Sequence, residues 1–156
     1  MTGVKTMAHT YCSCLVHYVF STKGRRNSIA AELRPRLWSY IGGIARENEM
    51  KALAVGGTDN HCHALVSLPT TLSIAQAVQK LKGGSSLWIH ESFPTQASFA
   101  WQEGYGAFSI GVAGVADTIA YIDAQEEHHR TKSFEEEYIA FLERHGIEYD
   151  ARFVFD

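Results

Sequence analysis

The sequence has no long hydrophobic run, so it predicts no helix that crosses a membrane. No stretch approaches the roughly 18 consecutive apolar residues that such a helix requires. Residues 1–10 also lack the apolar core of a secretory signal peptide, and we therefore expect a cytoplasmic protein. With 156 residues, of which 46% are hydrophobic, the chain is long enough to form one domain over residues 1–156 around its own core.

Cysteine is scarce, with Cys12, Cys14 and Cys62 as the whole set. An odd number of thiols inside predicted strands does not form a disulfide framework, so we expect buried thiols in a reducing compartment. The short spacing of Cys12 and Cys14 nevertheless allows an alternative. Together with His61 and His63 they have the residue types of a zinc site.

Positive charge is also in short supply, because the net charge is -3 at neutral pH. That balance argues weakly against a protein that binds nucleic acid. The charges are unevenly distributed, however. Residues 1–90 hold ten Lys and Arg against four Asp and Glu, whereas residues 91–156 hold four against thirteen. This asymmetry suits a protein that binds a polyanion on one face, and a chance distribution of solvated charges is the alternative.

The stretch from Asp59 to Pro69 combines a histidine pair with the pattern of a β-strand. A turn signal leads into a short apolar run that ends at Pro69. Successive side chains of a strand point to opposite faces, so His61 and His63 share one face. The other face carries only small or apolar side chains, those of Cys62, Ala64, Val66 and Leu68. Two imidazoles at this spacing can bind one cation; polar histidines at a solvated strand end are the alternative.

The rest of the pattern predicts an α+β fold of the ferredoxin-like type. The predicted strands are residues 11–20, 51–55, 61–68 and 105–111, and the predicted helices are 35–48 and 73–86. The order βαββαβ is the split βαβ arrangement, an antiparallel sheet with both helices on one face. We expect the other sheet face, with His17 and the histidine pair, to be free for a ligand.

Two further helices are predicted after the last strand. In the first, residues 117–129, Tyr121 is displaced from the apolar stripe and shares a ridge with Gln125 and His128. A tyrosine at the boundary of the core would have the same pattern. The second helix begins at Ser133, which forms a capping box with Glu136.

Two segments have the composition of phosphate-binding sites. Lys23, Arg25 and Arg26 lie in a predicted loop after the first strand, where basic and small hydrogen-bonding residues suit phosphate contacts. The end of the second predicted helix adds three more candidates, Lys80, Lys82 and Ser85. A solvated loop and an ordinary helix C-terminus are the alternatives.

In this order the residues resemble the single-tyrosine HUH transposases, small enzymes encoded by simple insertion sequences, and their relatives associated with repetitive extragenic palindromes. The resemblance extends over nearly the whole chain. It is carried by residues 17–23, 59–63, 82–86, 101–109, 121–129 and 133–150. Cys62 stands where the family has a larger apolar residue, which is a mild departure because cysteine packs as a small hydrophobe.

The resemblance implies a mechanism and a set of site residues. Tyr121 would attack a phosphodiester of single-stranded DNA at the end of an insertion sequence, leaving a 5′-phosphotyrosine and a free 3′-hydroxyl. His61, His63 and Gln125 would bind Mg²⁺ or Mn²⁺. The partners implied are single-stranded DNA with a hairpin at the element ends and a second copy of the chain, whose tyrosine helix can complete the site. The candidate DNA contacts are Lys23, Arg25, Arg26, Lys80, Lys82 and Ser85.

Two alternatives remain open from the sequence. One is a domesticated relative that binds hairpin DNA but no longer moves it. The other is a ferredoxin-like metal-binding domain without nuclease chemistry, which would use the cysteine and histidine set named above.

Overall fold

A computed structural model describes residues 9–156, in which four strands form one antiparallel sheet. The strands are β1 Leu15–Ser21, β2 Lys51–Gly57, β3 His61–Ser67 and β4 Gly106–Ile110. Their order across the sheet is β2-β3-β1-β4, and every neighbouring pair is antiparallel. This confirms the predicted antiparallel α+β fold with the ferredoxin-like strand order.

The first strand begins later than the sequence predicts. Residues 11–14 precede the sheet, and β1 starts at Leu15, which pairs with Ser67 on one side and Ile110 on the other. These are the last residues of β3 and β4. Within residues 9–156, the alternating pattern before Leu15 therefore has no neighbouring strand with which to form a ladder.

Two helices, α1 Arg34–Glu47 and α2 Ile74–Ser92, pack against one face of the sheet. The strand residues buried beneath them include Val16, Tyr18, Phe20, Cys62, Ala64 and Val66, and Leu68, just after β3, is buried with them. These are the apolar faces that the alternation predicts, so the histidines of β1 and β3 lie on the opposite face.

The prediction that α2 ends near the glycine pair is wrong, because the helix continues to Ser92. Its start is confirmed: Ser73 and Gln76 form a capping box. A Cβ at Gly84 would lie 2.8 Å from Cδ1 of Ile44 in α1, so glycine permits the close approach of the two helices. Each glycine costs about 1 kcal/mol of helix propensity, and helix packing offsets that cost here.

The predicted tyrosine helix is divided into two parts. Helix α3 runs from Val115 to Asp123, and a short helix α4 covers Gln125–His128 after a break at Ala124. Helix α3 packs closely on β2, since a Cβ at Gly56 would lie only 2.7 Å from the carbonyl oxygen of Ile122.

The prediction of a sheet face free for a ligand is also wrong. Helix α5 Phe134–Arg144 begins at the predicted capping box of Ser133 and covers that face. Its side chains Phe134, Tyr138, Phe141 and Leu142 form a second core with Val19 and Phe108. The aromatic stripe of α5 must be buried somewhere, and this face is where it packs.

Among the described residues, no helix combines the length and the apolar character needed to cross a membrane.

Candidate active site

The histidine pair lies in the interior, between the sheet and the C-terminal helices. The side chains of His61 and His63 are both 0% exposed, and their ring centroids are 5.2 Å apart. The strand-end alternative is therefore excluded. Buried polar side chains require partners, and the partners of these two imidazoles come from the turn before β3, from β1 and from the C-terminal helices.

A cluster of potential metal ligands surrounds the pair. One ligand atom from each of His61, His63, His129 and Glu137 lies within 4.8 Å of the others. The Oε1 atom of Gln125 is 2.9 Å from Nε2 of His61. The structure therefore brings together the three predicted ligands, His61, His63 and Gln125, and adds two groups that the sequence did not assign.

The hydrogen-bond partners of His61 leave a position that suits a cation. Its Nδ1 lies 2.9 Å from Oδ1 of Asn60, and its Nε2 faces Oε1 of Gln125. Oγ1 of Thr58 also lies 3.0 Å from Nδ1, and a neutral imidazole carries a single N–H. With that N–H on Nδ1, where it donates to Asn60, Nε2 turns a lone pair toward Oε1 of Gln125. Burial, followed by the neighbouring His63, lowers the pKa of His61 to about 3, so the ring is neutral at pH 7. A divalent cation bound there would be coordinated by Nε2 of His61 and by Oε1 of Gln125.

The orientation of Gln125 is fixed by the helix that carries it. Its Nε2 donates to the backbone carbonyl of Tyr121 at 3.2 Å, which turns Oε1 toward the histidines. His129 lies 3.1 Å from the same Oε1. Two imidazoles with an amide oxygen and a carboxylate form a donor set that fits Mg²⁺ or Mn²⁺ as well as Zn²⁺.

His17 supports the pair from the neighbouring strand. Its Nε2 is 2.8 Å from Nδ1 of His63, and its side chain is 2% exposed. Burial and the nearby His63 lower the pKa of His17 to about 3. A neutral His17 therefore holds one ring nitrogen of His63 and fixes the orientation of that ring. The sequence placed His17 on the correct face but assigned it no role.

Tyr121 reaches the cluster within its own chain. Its hydroxyl donates a hydrogen bond to Oε2 of Glu137, and its ring centroid is 5.7 Å from that of His63. Burial is the main cause that raises the pKa of Tyr121 above its ordinary value, and the hydrogen bond to the Glu137 carboxylate adds to it. The phenol is consequently protonated at rest and points at the ligand cluster.

Glu137 links the tyrosine to the histidines. Its Oε1 accepts from Nε2 of His63 at 2.9 Å, and its Oε2 lies 3.2 Å from Nε2 of His129. Burial alone would raise the pKa of Glu137, but the hydrogen bonds from His129 and His63 outweigh burial and hold the pKa well below its usual range. An ionised carboxylate therefore lies at the centre of the site.

The sequence missed Glu137 because it belongs to a run of three glutamates at the start of an amphipathic helix. One signal was available: residue 137 follows Phe134 by three positions and precedes Phe141 by four, so it lies on the buried stripe. A charged residue on such a stripe requires a partner. His129 directly follows His128, the last residue of the ridge that includes Tyr121, and no pattern in the sequence marked it as buried.

The predicted DNA contacts lie in different environments. Lys23, Arg26 and Lys80 are exposed. Arg25 is half-buried, forms a 3.3 Å ion pair with Glu135 and stacks over the ring of Phe155. The loop residues Lys23, Arg25 and Arg26 line a cavity of about 520 Å³ with Gln102, Glu103, Phe155 and Asp156.

Two of the predicted DNA contacts, Lys82 and Ser85, form hydrogen bonds to other residues of the protein. Nζ of Lys82 donates to the carbonyl oxygens of Gln102, Glu103 and Gly104 at 2.6–3.1 Å. Ser85 is 0% exposed, donates to the carbonyl of Leu81 and accepts from the indole of Trp101. In this arrangement Ser85 cannot reach a bound phosphate.

The cysteine and histidine set proposed for zinc is not assembled. Cys14 packs against the core beneath α1 and α2, whereas His61 and His63 lie on the other face of the sheet. Cys14 is also next to Leu68, at the opposite end of β3 from His61. Cys12 is exposed and lies still further along the chain from the sheet.

The fold and the site, an antiparallel sheet with a buried His-x-His pair facing a helical tyrosine, agree with one family of proteins. Residues 10–125 match the family model described as "Transposase IS200 like". Because this match covers most of the chain, the protein belongs to the IS200-like transposase family.

Two curated relatives support this membership. They are the transposases for insertion sequence element IS200 from Salmonella typhimurium and Salmonella typhi. Each is 32% identical over 89 residues, which is 57% of this chain and 59% of the relative. The aligned region thus spans less than two thirds of the length of these relatives.

Two solved structures share the fold. A protein from Deinococcus radiodurans R1, solved as a candidate transposase, superposes with a TM-score of 0.63 at 21% identity and covers 78% of this chain and 98% of its own. A REP-associated tyrosine transposase bound to a REP hairpin gives a TM-score of 0.57 at 14% identity, covering 81% of this chain and 74% of its own.

Proposed function

We propose that this protein is a transposase that cleaves and rejoins single-stranded DNA at the ends of an insertion sequence, with Tyr121 as the nucleophile. One observation carries the proposal. The hydroxyl of Tyr121 is hydrogen-bonded to Glu137, which in turn contacts His63, so the phenol borders a buried cluster of metal ligands in the same chain. Membership of the IS200-like transposase family gives independent support.

His61, His63 and Gln125 would hold a divalent cation, Mg²⁺ or Mn²⁺. When bound, such a cation supplies Lewis-acid polarisation of the scissile phosphate and neutralises its charge. The need for such help follows from the nucleophile. An ordinary phenol has a pKa near 10, and burial raises that of Tyr121 further. A protonated phenol is a weak nucleophile, so the reaction needs a cation that polarises the phosphate and a group that accepts the phenolic proton.

The chain's own residues account for the covalent step. The phenolic oxygen of Tyr121 attacks phosphorus, the new O–P bond forms, and the bond from phosphorus to the 3′ oxygen breaks. As the O–P bond forms, the phenolic oxygen becomes less basic and its proton moves along the existing hydrogen bond to Oε2 of Glu137. The departing 3′ oxygen takes a proton from water, and Glu137 releases the phenolic proton to the hydroxide that remains, so the net transfer is from Tyr121 to the 3′ oxygen. The phosphotyrosine conserves the energy of the phosphodiester, so rejoining to another 3′-hydroxyl needs no ATP.

The DNA partner would combine a hairpin with adjoining single strand. The REP-associated relative was solved with a REP hairpin, which supports a hairpin partner for this fold. Lys23, Arg26 and Lys80 have exposed side chains for phosphate contacts, and the half-buried Arg25 lies in the same loop as Lys23 and Arg26. Lys82 and Ser85 donate hydrogen bonds to backbone carbonyls and would stabilise the backbone beneath this surface. We also propose a homodimer, as in the family that the sequence resembles.

The proposal is tested by trapping the covalent product. Protein is incubated with Mn²⁺ and labelled single-stranded oligonucleotides tiled across short palindromes that flank the gene. We expect a protein–DNA adduct that survives denaturing electrophoresis, is lost in Tyr121→Phe and is retained in Tyr40→Phe, a matched exposed tyrosine on α1. A complex that binds hairpin DNA without forming the adduct would instead favour a domesticated relative.

A further inference from the structure

We propose that the carboxylate of Glu137, carried by helix α5, is a fourth protein ligand of the cation at His61 and His63. This inference rests on the proposed cation site but not on the chemistry of Tyr121. It makes the C-terminal helix part of the metal centre, although α5 lies beyond residues 10–125, where the family model ends.

The positions of the ligand atoms carry the inference. Oε1 of Glu137 is 2.9 Å from Nε2 of His63 and 3.7 Å from Nε2 of His61, so one oxygen faces both imidazole nitrogens. Oε1 of Gln125 lies 2.9 Å from the same nitrogen of His61. Adjacent ligands on one cation with bonds of about 2.1 Å lie roughly 3 Å apart, and the observed separations are of this size.

The burial of Glu137 also needs an explanation. The residue is 3% exposed on a helix face that is otherwise built from aromatic and aliphatic side chains, such as Phe134 and Phe141. A buried carboxylate is costly unless charge or hydrogen bonds compensate it. Among the described residues its ion-pair partners are three imidazoles, those of His61, His63 and His129. A divalent cation next to Oε1 would compensate the charge of the buried carboxylate.

The two oxygens of Glu137 have separate partners, so binding a cation does not require the tyrosine to leave. Oε1 faces the histidine pair, whereas Oε2 accepts from Tyr121 and contacts His129. His129 touches both Glu137 and Gln125 and therefore orients the two oxygen ligands from outside the centre. A cation held by β3 and α5 together would also fasten α5 to the sheet.

The inference is tested by Mn²⁺ binding to full-length protein in the Tyr121→Phe background, which removes the chemistry. Affinity is measured by titration calorimetry and by the electron paramagnetic resonance signal of free Mn²⁺, and folding is checked by melting in EDTA. We expect Glu137→Gln to weaken Mn²⁺ binding by at least about tenfold and to reduce the rise in melting temperature that Mn²⁺ causes. Glu136→Gln is the matched control, because residue 136 is exposed and glutamine keeps its capping role.

Glu137→Asp keeps the charge but withdraws the oxygens by one methylene, and it answers the same question if the glutamine variant fails to fold. We expect it also to bind Mn²⁺ at least about tenfold more weakly. Parent affinity in a folded Glu137 variant, with binding lost in His61→Ala, would overturn this inference and leave the proposed function intact. Absence of Mn²⁺ binding by the Tyr121→Phe protein itself would overturn the cation site on which both rest.

Discussion

Tyr121 and Glu137 are joined by a hydrogen bond although they lie on different helices, α3 and α5. The bond fixes the phenol of Tyr121 relative to the histidine pair, because Glu137 also contacts His63. The phenol therefore has a defined position before any DNA is bound. Such preorganisation lowers the cost of reaching the geometry of attack.

The same relationship predicts that one chain forms a complete site. Tyr121 and His63 of a single subunit are close, with ring centroids 5.7 Å apart. Mixing Tyr121→Phe with His63→Ala protein should therefore not restore formation of the covalent adduct. A mixture of parent and Tyr121→Phe protein controls for inhibition by mixed dimers. Recovery of substantial adduct would instead show that the tyrosine acts in the site of the partner subunit.

The contact between His17 and His63 predicts a positioning role for His17. His17→Phe keeps an aromatic ring in the core but removes the nitrogen that lies 2.8 Å from His63. Loss of a partner that orients a metal-binding histidine typically costs about 10–100-fold in metal affinity or activity. We expect a loss of this size in Mn²⁺ affinity, measured by calorimetry below the melting temperature of the variant, which should fall because Nδ1 of His63 loses its buried partner. Unchanged Mn²⁺ affinity would contradict this role.

The sequence predicted the histidine face correctly because strand alternation is a local property. The period of two assigns His17, His61 and His63 to one face, and the structure agrees. The capping boxes at Ser73 and Ser133 are equally local, and both are confirmed.

The wrong predictions concern the end of α2 and the histidine face of the sheet. Both depend on packing between segments that are far apart in the sequence. Gly83 and Gly84 have low helix propensity, yet α2 passes through them because Gly84 lies against Ile44 of α1. Helix α5 covers the histidine face although it lies about 70 residues further along the chain than β3. The hydrogen bond between His63 and Glu137 is one of the contacts between these two segments. No periodicity in the sequence specifies which face an amphipathic helix will cover.

Close packing of α3 against β2 predicts the effect of substituting Gly56. In Gly56→Ala the new Cβ would lie 2.7 Å from the carbonyl oxygen of Ile122, which must shift together with the helix of Tyr121. We expect the free energy of unfolding to fall by about 1–3 kcal/mol. In Gly83→Ala the Cβ meets nothing within 4 Å, and stability should rise by up to about 1 kcal/mol. Urea denaturation of both variants makes the comparison, and equal effects would contradict the packing argument.

The buried histidines predict a loss of stability in mild acid when metal is absent. The pKa of His17 and of His61 falls from 6.5 to about 3 on folding. Below pH 6.5 the unfolded chain therefore binds protons that the folded chain does not, so the free energy of unfolding decreases as the pH falls. Each histidine contributes up to about 1.4 kcal/mol per pH unit. We expect a loss of about 2 kcal/mol between pH 6.5 and 5.5 in EDTA, measured by urea denaturation, and roughly half of it in His17→Phe. A flat profile would contradict neutral, buried imidazoles.

The central claim is that Tyr121 forms a covalent bond to the 5′ phosphate of cleaved DNA, and mass spectrometry of the trapped adduct tests it most directly. After digestion with protease and nuclease, the account predicts a peptide containing Tyr121 that carries a nucleotide through its 5′ phosphate. The other product should be an oligonucleotide ending in a 3′-hydroxyl. A nucleotide attached to any other residue, or cleavage that persists in Tyr121→Phe, would contradict the account.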